Sequence, residues 1–109
     1  MLDQNLLAEF KSIVKDKYAT LISFYIEDSQ KYIDTILKEI ADGNLDKAVF
    51  AAHTLKSSSR QVGAIELGAM ADHIEKTCRN GTADPDLSQK AEELQKNFTK
   101  VIAALKSTL

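Results

Sequence analysis

The sequence contains a single cysteine, Cys78, so no internal disulfide can form and a reducing compartment is the simpler expectation. Proline occurs once and glycine four times, which leaves few places where long helices must break. No apolar run approaches the ~20 residues of a membrane span, and no basic start followed by an apolar run predicts a signal peptide. We therefore expect a cytoplasmic protein that does not contact a membrane.

Charge of neither sign dominates the chain. The formal net charge is −2, so nothing in the composition points to a nucleic-acid partner. Hydrophobic residues make up 44% of the chain and charged residues 28%, which is typical of a globular rather than a disordered protein. A length of 109 residues supports one hydrophobic core, and we expect a single domain over residues 1–109 that acts as a monomer.

Apolar residues recur at helical spacing, and no period-2 run is long enough to predict a strand. The pattern predicts helices at about 3–14, 17–42, 45–62 and 64–80, a loop at 80–84, and a last helix that Asp84 and Pro85 open. Gly43, Gly63 and Gly81 end the helices that precede them. The sequence therefore predicts an all-α fold, an antiparallel up-down four-helix bundle with an additional short N-terminal helix packed across one end.

The third predicted helix carries a histidine, His53, in an unusual setting. Ala52 belongs to the apolar seam, and the next residue is rotated by about 100°, so we expect His53 on the outside of the bundle. Lys56 and Ser57 follow three and four residues later, on the same face of the helix. Positive charge gathers on this helix, which carries Lys47, Lys56 and Arg60 against the single acid Asp46.

These residue types suit a histidine that accepts a phosphoryl group. Free imidazole is largely neutral at cell pH, and its unprotonated nitrogen is a nucleophile. Lys56 would stabilise an attached phosphoryl group, and the small Ser57 leaves room for a partner's active site. The sequence contains no Gly-rich phosphate loop, so the phosphoryl donor must be another protein or domain. We therefore expect a phosphoryl carrier without kinase activity of its own.

Six residues of this region resemble the signature of histidine-containing phosphotransfer (HPt) domains: His53, Leu55, Lys56, Ser58, Gly63 and Ala64. The resemblance covers about residues 21–81. The position four residues after the histidine is often glycine in this family, and the residue here is Ser57, which is still small. The resemblance implies a phosphorelay intermediate in two-component signalling. Such a domain accepts a phosphoryl group on histidine Nε2 from a receiver-domain aspartate and passes it to another receiver aspartate.

The resemblance also implies roles for neighbouring residues and for partners. Lys56, which we expect to face solvent, would steady the phosphoryl group, and Ser57 and Gln61 would contact the ring or the phosphate. The docking surface, assigned from positions around the histidine, would include Val49, Phe50 and Arg60. The expected partners are receiver domains, including that of a hybrid sensor kinase. The chain itself would bind no cofactor or metal, because the receiver supplies Mg²⁺.

Two other functions fit the same residues. The bundle could dock a receiver domain without being phosphorylated, through an exposed Phe50 and the basic patch. It could also be the phosphoacceptor domain of a chemotaxis-type histidine kinase, in which ATP on a separate catalytic domain is the donor. A metal-binding bundle is disfavoured, because Phe50 and Met70 precede the two histidines where di-iron bundles carry glutamate. We expect His73 on the surface and Cys78 in the core.

Overall fold

Five α-helices make up the part of the chain that the computed structural model describes, residues 2–81 and 84–109. They are α1 (Gln4–Val14), α2 (Tyr18–Asp42), α3 (Leu45–Gln61), α4 (Ile65–Arg79) and α5 (Leu87–Lys106). A 3-10 turn at Lys15–Lys17 joins α1 to α2, and no strand occurs in these ranges. Across the same ranges, no helix combines the length and apolarity that a membrane crossing requires.

Helices α2 to α5 form an elongated antiparallel bundle in which each helix packs on its two neighbours. Helix α3 lies between α2 and α4, and α5 closes the bundle by packing on both α2 and α4. The largest fully buried side chains come from all four helices and form one core: Ile22, Ile33, Ile36, Leu55, Leu67, Ile74, Leu94, Phe98, Val101 and Leu105. The predicted all-α bundle is therefore confirmed.

Helix α1 packs at the end of the bundle where α3 turns into α4. The Asp3 amide donates a 2.8 Å hydrogen bond to the Gly63 carbonyl, and Leu7 is buried in the core. A Cβ at Gly63 would lie 2.7 Å from the Asp3 carbonyl oxygen, and its φ of +84° independently favours glycine. The Tyr18 hydroxyl bonds to the Thr108 hydroxyl at 2.7 Å and ties the start of α2 to the end of α5. The predicted placement of the N-terminal helix is therefore consistent with the structure.

The start of α5 differs from the prediction. The Asp84 carboxylate accepts a 2.8 Å hydrogen bond from the Asp86 amide, and the Asp84 carbonyl accepts one of 3.1 Å from the Leu87 amide. These bonds are typical of an Asx-type turn, so the chain makes one turn before the helix begins at Leu87. The prediction that Asp84 caps the helix was therefore wrong. Of the predicted loop at 80–84, Thr82 and Ala83 lie outside the described residues.

Candidate functional site

His53 lies on the outer face of α3, with 55% of its side chain exposed. Its Nδ1 faces α4, where it lies 3.2 Å and 3.1 Å from the two carboxylate oxygens of Glu75. The Glu75 side chain is only 6% exposed, so water has little access to this carboxylate. The imidazole is therefore held on its inner side by a carboxylate from the neighbouring helix, while much of the ring remains open to solvent.

The carboxylate behind His53 belongs to a network of charged side chains between α3 and α4. The Lys56 ammonium donates to Glu75 Oε1 at 2.7 Å and to Asp72 Oδ1 at 3.1 Å. Arg79 donates from Nε and Nη2 to Glu75 Oε2 at 3.0 Å and 2.9 Å. Lys76 completes the network with a 2.9 Å ion pair to Asp72 Oδ2. Each carboxylate therefore has two cationic partners.

The network sets the protonation of Glu75 and, through it, the tautomer of His53. Burial alone would raise the pKa of the Glu75 carboxyl, but hydrogen bonds from Lys56, Arg79 and His53 outweigh it and lower that pKa from 4.5 to about 2. An ionised carboxylate can only accept hydrogen bonds, so the neutral imidazole carries its proton on Nδ1. The other ring nitrogen, Nε2, then has an unshared electron pair, and it bonds to no other described residue.

Lys56 does not face solvent, as we expected it to, but lies against α4. Its side chain is only 16% exposed, because α4 brings Asp72 and Glu75 against it. Hydrogen bonds to these two carboxylates raise the pKa of the Lys56 ammonium. Helix α4 adds two carboxylates to the surroundings of His53, but it also adds the cations of Lys76 and Arg79, so the expected excess of positive charge there stays a prediction. An ammonium group has three donors, so one N–H of Lys56 is left for a further acceptor.

Ser57 and Gln61, the remaining predicted site residues, make no hydrogen bond to the His53 ring within the described part of the chain. Ser57 is exposed one turn further along α3. Gln61 is exposed as well and lines a groove of ≈ 310 Å³ between α2 and α3, away from α4. The predicted contacts of both residues with the ring or the phosphate stay predictions, because the ring partner in the structure is Glu75.

The three predicted docking residues differ in their exposure. Phe50 is 73% exposed, which is unusual for a phenylalanine on a helix surface. Arg60 is exposed, and its side chain lies along Gly68 of α4, where an added Cβ would meet Arg60 Cγ at 3.0 Å. Val49 is half-buried and packs against the core. Phe50 and Arg60 are therefore available to a partner, whereas Val49 belongs mainly to the packing of the bundle.

The other residues considered for chemistry lie away from His53. His73 is exposed, as expected, and its Nε2 lies 2.9 Å from the Lys90 ammonium. Cys78 is buried, as expected, and burial raises the pKa of its thiol. Within residues 2–81 and 84–109, no three His, Cys, Asp or Glu side chains come together in a group that could hold a metal ion.

The lowered pKa of Glu75 predicts a specific sensitivity to acid. Because the folded-state pKa of about 2 lies below the ordinary value of 4.5, the carboxylate stabilises the fold above pH 4.5 and loses this effect as pH falls towards 2. The contribution is at most about 3 kcal/mol, of which about 2 kcal/mol is lost between pH 6 and pH 3. Urea unfolding at these two pH values should show a smaller loss of unfolding free energy in Glu75→Gln than in the wild type. Equal losses would contradict the assignment.

Comparison with known proteins identifies the family of the chain. The Hpt domain family model matches residues 20–107. The phosphorelay intermediate protein rdeA of Dictyostelium discoideum is 25% identical over 100 residues, which cover 86% of this chain and 39% of that protein. The crystal structure of histidine-containing phosphotransfer protein B (HptB) from Pseudomonas aeruginosa PAO1 has the same fold, with a TM-score of 0.93 and 22% identity over 98% of this chain and 92% of that one. The chain belongs to the Hpt domain family.

Proposed function

We propose that the protein is a phosphorelay intermediate in two-component signalling, in which His53 accepts a phosphoryl group from one receiver aspartate and passes it to another. The observation that carries the proposal is the solvent-exposed imidazole whose Nδ1 lies against the ionised Glu75. This contact leaves Nε2 as the nucleophilic nitrogen of the ring. Membership of the Hpt domain family and similarity to a protein named as a phosphorelay intermediate support the same function.

The chain supplies a nucleophile and a cation, and the remaining chemistry comes from the partner. The Nε2 electron pair attacks phosphorus, and the bond between phosphorus and the aspartyl oxygen breaks towards the departing carboxylate. The remaining N–H of Lys56 is available to a phosphoryl oxygen, where a charge-assisted hydrogen bond stabilises the transferred group. We propose that the receiver binds the Mg²⁺ and that this chain has no kinase activity of its own. We also propose that the protein acts as a monomer in the cytoplasm and that its receivers include that of a hybrid sensor kinase.

The two flanks of His53 differ, and the difference favours one side for docking. The α4 flank is occupied by the charged network, whereas the α1 and α2 flank offers grooves of ≈ 310 Å³ and ≈ 220 Å³. Phe10 and Val14 line both grooves, and Ile13 beside them is 70% exposed. Exposed apolar side chains next to open grooves are typical of a protein-binding surface. We propose that a receiver covers Phe50, Arg60 and this edge of α1.

A transfer assay with purified components tests the proposed function. A receiver domain carrying a radiolabelled aspartyl phosphate is mixed with the protein, and a second, unphosphorylated receiver is added afterwards. We expect the label to move to the protein as an acid-labile, base-stable phosphate and then to the second receiver. Labelling only by ATP with a kinase catalytic domain would instead indicate the phosphoacceptor domain of a chemotaxis-type kinase. Absence of transfer from every receiver of a broad panel would overturn the proposal.

Replacement of Lys56 by alanine should slow transfer without unfolding the protein. Neither carboxylate loses all its partners, since Glu75 keeps Arg79 and Asp72 keeps Lys76. Loss of one phosphoryl-stabilising donor should lower the single-turnover transfer rate about tenfold or more. Lys76→Ala is the matched control, because it removes a lysine from the same network that bonds only to Asp72. Equal slowing in both variants, or loss of the helical circular dichroism signal in Lys56→Ala, would contradict this role.

A further inference from the structure

Ser29 of α2 carries a buried hydroxyl group that has no hydrogen-bond partner. The residue is only 1% exposed, and its Oγ bonds to no group in the described part of the chain. A buried hydroxyl in this situation has lost its hydrogen bonds to water and gained none in return, which costs free energy. Such groups are rare in folded proteins, so a missing partner outside the chain is worth seeking.

The Ser29 side chain lines the groove of ≈ 310 Å³ between α1, α2 and α3. Other hydroxyl groups of this region already have partners. Tyr25 and Ser59 bond to each other at 2.7 Å, and Thr54 and Ser58 each donate to a carbonyl oxygen of their own helix at 3.1 Å. Ser29 is therefore the buried hydroxyl that this groove can offer to a ligand.

The groove carries one charge, at its rim. Burial raises the pKa of the Tyr25 phenol to about 12, against the opposite effect of the neighbouring Ser59 and Ser29 hydroxyls, so this phenol is neutral at physiological pH. Of the described residues that line the groove, only Asp28 is charged. Asp28 is exposed and forms no ion pair with another described residue. A ligand would therefore meet an unpaired carboxylate at the rim.

The walls of the groove suit an aromatic ring. Phe10, Leu21 and Tyr32 line it, and all three are half-buried rather than fully packed in the core. Small-molecule sites have volumes of about 300 to 1,000 Å³ and combine apolar walls with a few polar groups at fixed points. The groove lies at the lower end of this range, which corresponds to a ligand with one ring and a short side chain.

We propose that this groove binds a small aromatic amine whose ring carries a hydroxyl group at the end opposite to the amine. The ring lies between the apolar walls, the ammonium pairs with the Asp28 carboxylate at the rim, and the ring hydroxyl bonds to Ser29 Oγ at the floor. This chemistry supplies a partner to each of the two polar groups that the bundle leaves without one. The binding does not depend on phosphoryl transfer, because His53 does not line the groove.

A ligand in this position competes with the proposed docking of a receiver. Phe10 and Val14 line the groove and belong to the edge of α1 that we propose a receiver covers. Gln61 lines the same groove, two turns beyond His53 on α3. We therefore expect a bound amine to slow transfer from a receiver without contacting His53. Only this consequence rests on the proposed function.

Tyramine is the probe, because it combines the ring, the amine and the opposite hydroxyl group. Binding is followed by NMR titration of the nitrogen-15-labelled protein, and the shifted amides should be those of the groove. We expect a Kd of about 1 mM or below, as is typical of a ligand of this size. Phenethylamine lacks the ring hydroxyl, and tyrosol has an alcohol in place of the amine. Each should bind about three- to fivefold more weakly than tyramine.

Matched variants assign the two polar contacts. In Ser29→Ala, tyramine should bind about fivefold more weakly, whereas phenethylamine should bind as it does to the wild type. In Asp28→Asn, both amines should bind about threefold more weakly, and tyrosol should be unaffected. Glu27→Gln is the control, since it removes the neighbouring exposed carboxylate of α2, which does not line the groove. Ser29→Ala should resist urea at least as well as the wild type, because no hydrogen bond is lost.

The outcomes separate this site from the proposed function. Amide shifts that spread over the whole surface, or equal weakening in Asp28→Asn and Glu27→Gln, would show general charge attraction and overturn the inference. Equal binding of tyramine to Ser29→Ala and the wild type would overturn it as well. If tyramine binds in the groove as expected but the protein accepts no phosphoryl group from any receiver, the site stands and the proposed function fails.

Discussion

Replacement of His53 by glutamine should abolish the acid-labile label that a phosphorylated receiver transfers to the wild-type protein. Glutamine is similar in length to histidine, and its amide can still bond to Glu75, but it has no nucleophilic ring nitrogen. Since 55% of the His53 side chain is exposed, the bundle should keep its stability. The expected result is complete loss of labelling with an unchanged urea unfolding curve.

The second histidine of the chain provides the control for this experiment. His73 has a lysine three residues later, as His53 does, but its Nε2 contacts Lys90, and among the described residues no carboxylate bonds to its ring. His73→Gln should therefore keep wild-type labelling. Labelling that survives in His53→Gln and disappears in His73→Gln would place the phosphoacceptor on α4 and overturn the assignment. Unchanged signalling by His53→Gln in cells would instead favour a protein that docks receivers without being phosphorylated.

Replacement of Gly63 by alanine should lower the free energy of unfolding by about 2 to 4 kcal/mol. The φ of +84° is unfavourable for an L side chain, and the new methyl group would lie 2.7 Å from the Asp3 carbonyl oxygen. The contact can be relieved only if the start of α1 moves away from the turn between α3 and α4. Urea unfolding measures the loss, and hydrogen exchange should show faster exchange of the α1 amides.

Gly43→Ala separates the backbone strain from the close approach of α1. Gly43 has a similar φ of +78°, but an added Cβ meets nothing within 4 Å. This control should lose only about 1 kcal/mol, which is the typical strain of a left-handed alanine. Equal losses in the two variants would show that α1 does not press against Gly63 in solution.

Most of the fold could be predicted from the sequence because its local signals agree with one another. The apolar residues repeat at helical spacing, and Gly43, Gly63 and Gly81 all adopt the positive φ that ends a helix. The predicted first four helices accordingly end within one residue of the observed ones. The start of α5 was misplaced because an aspartate before a proline is equally suitable for a helix cap and for a turn, and the choice depends on tertiary context.

The sequence predicted only those residues of the site that lie on α3. His53 and Lys56 share one helix face, which sequence spacing shows directly. Their carboxylate partners lie on another helix, and spacing along α3 contains no information about them. One signal could have found them. The tight turn makes α3 and α4 an antiparallel pair, so residues at equal sequence distances before and after the turn come to lie beside each other. His53 and Glu75 are each eleven residues from Ala64. Lys56 and Asp72 are each eight residues from it.

The contact between α1 and the α3–α4 turn determines where this domain can be cut for transplantation into other proteins. The match to the family model begins at residue 20, which suggests a natural boundary there. A fragment cut at that point would lack Leu7 and Tyr18, both buried, and the amide that bonds to the Gly63 carbonyl. In a stable chimaera the transplanted segment should therefore begin before Asp3, so that it includes α1.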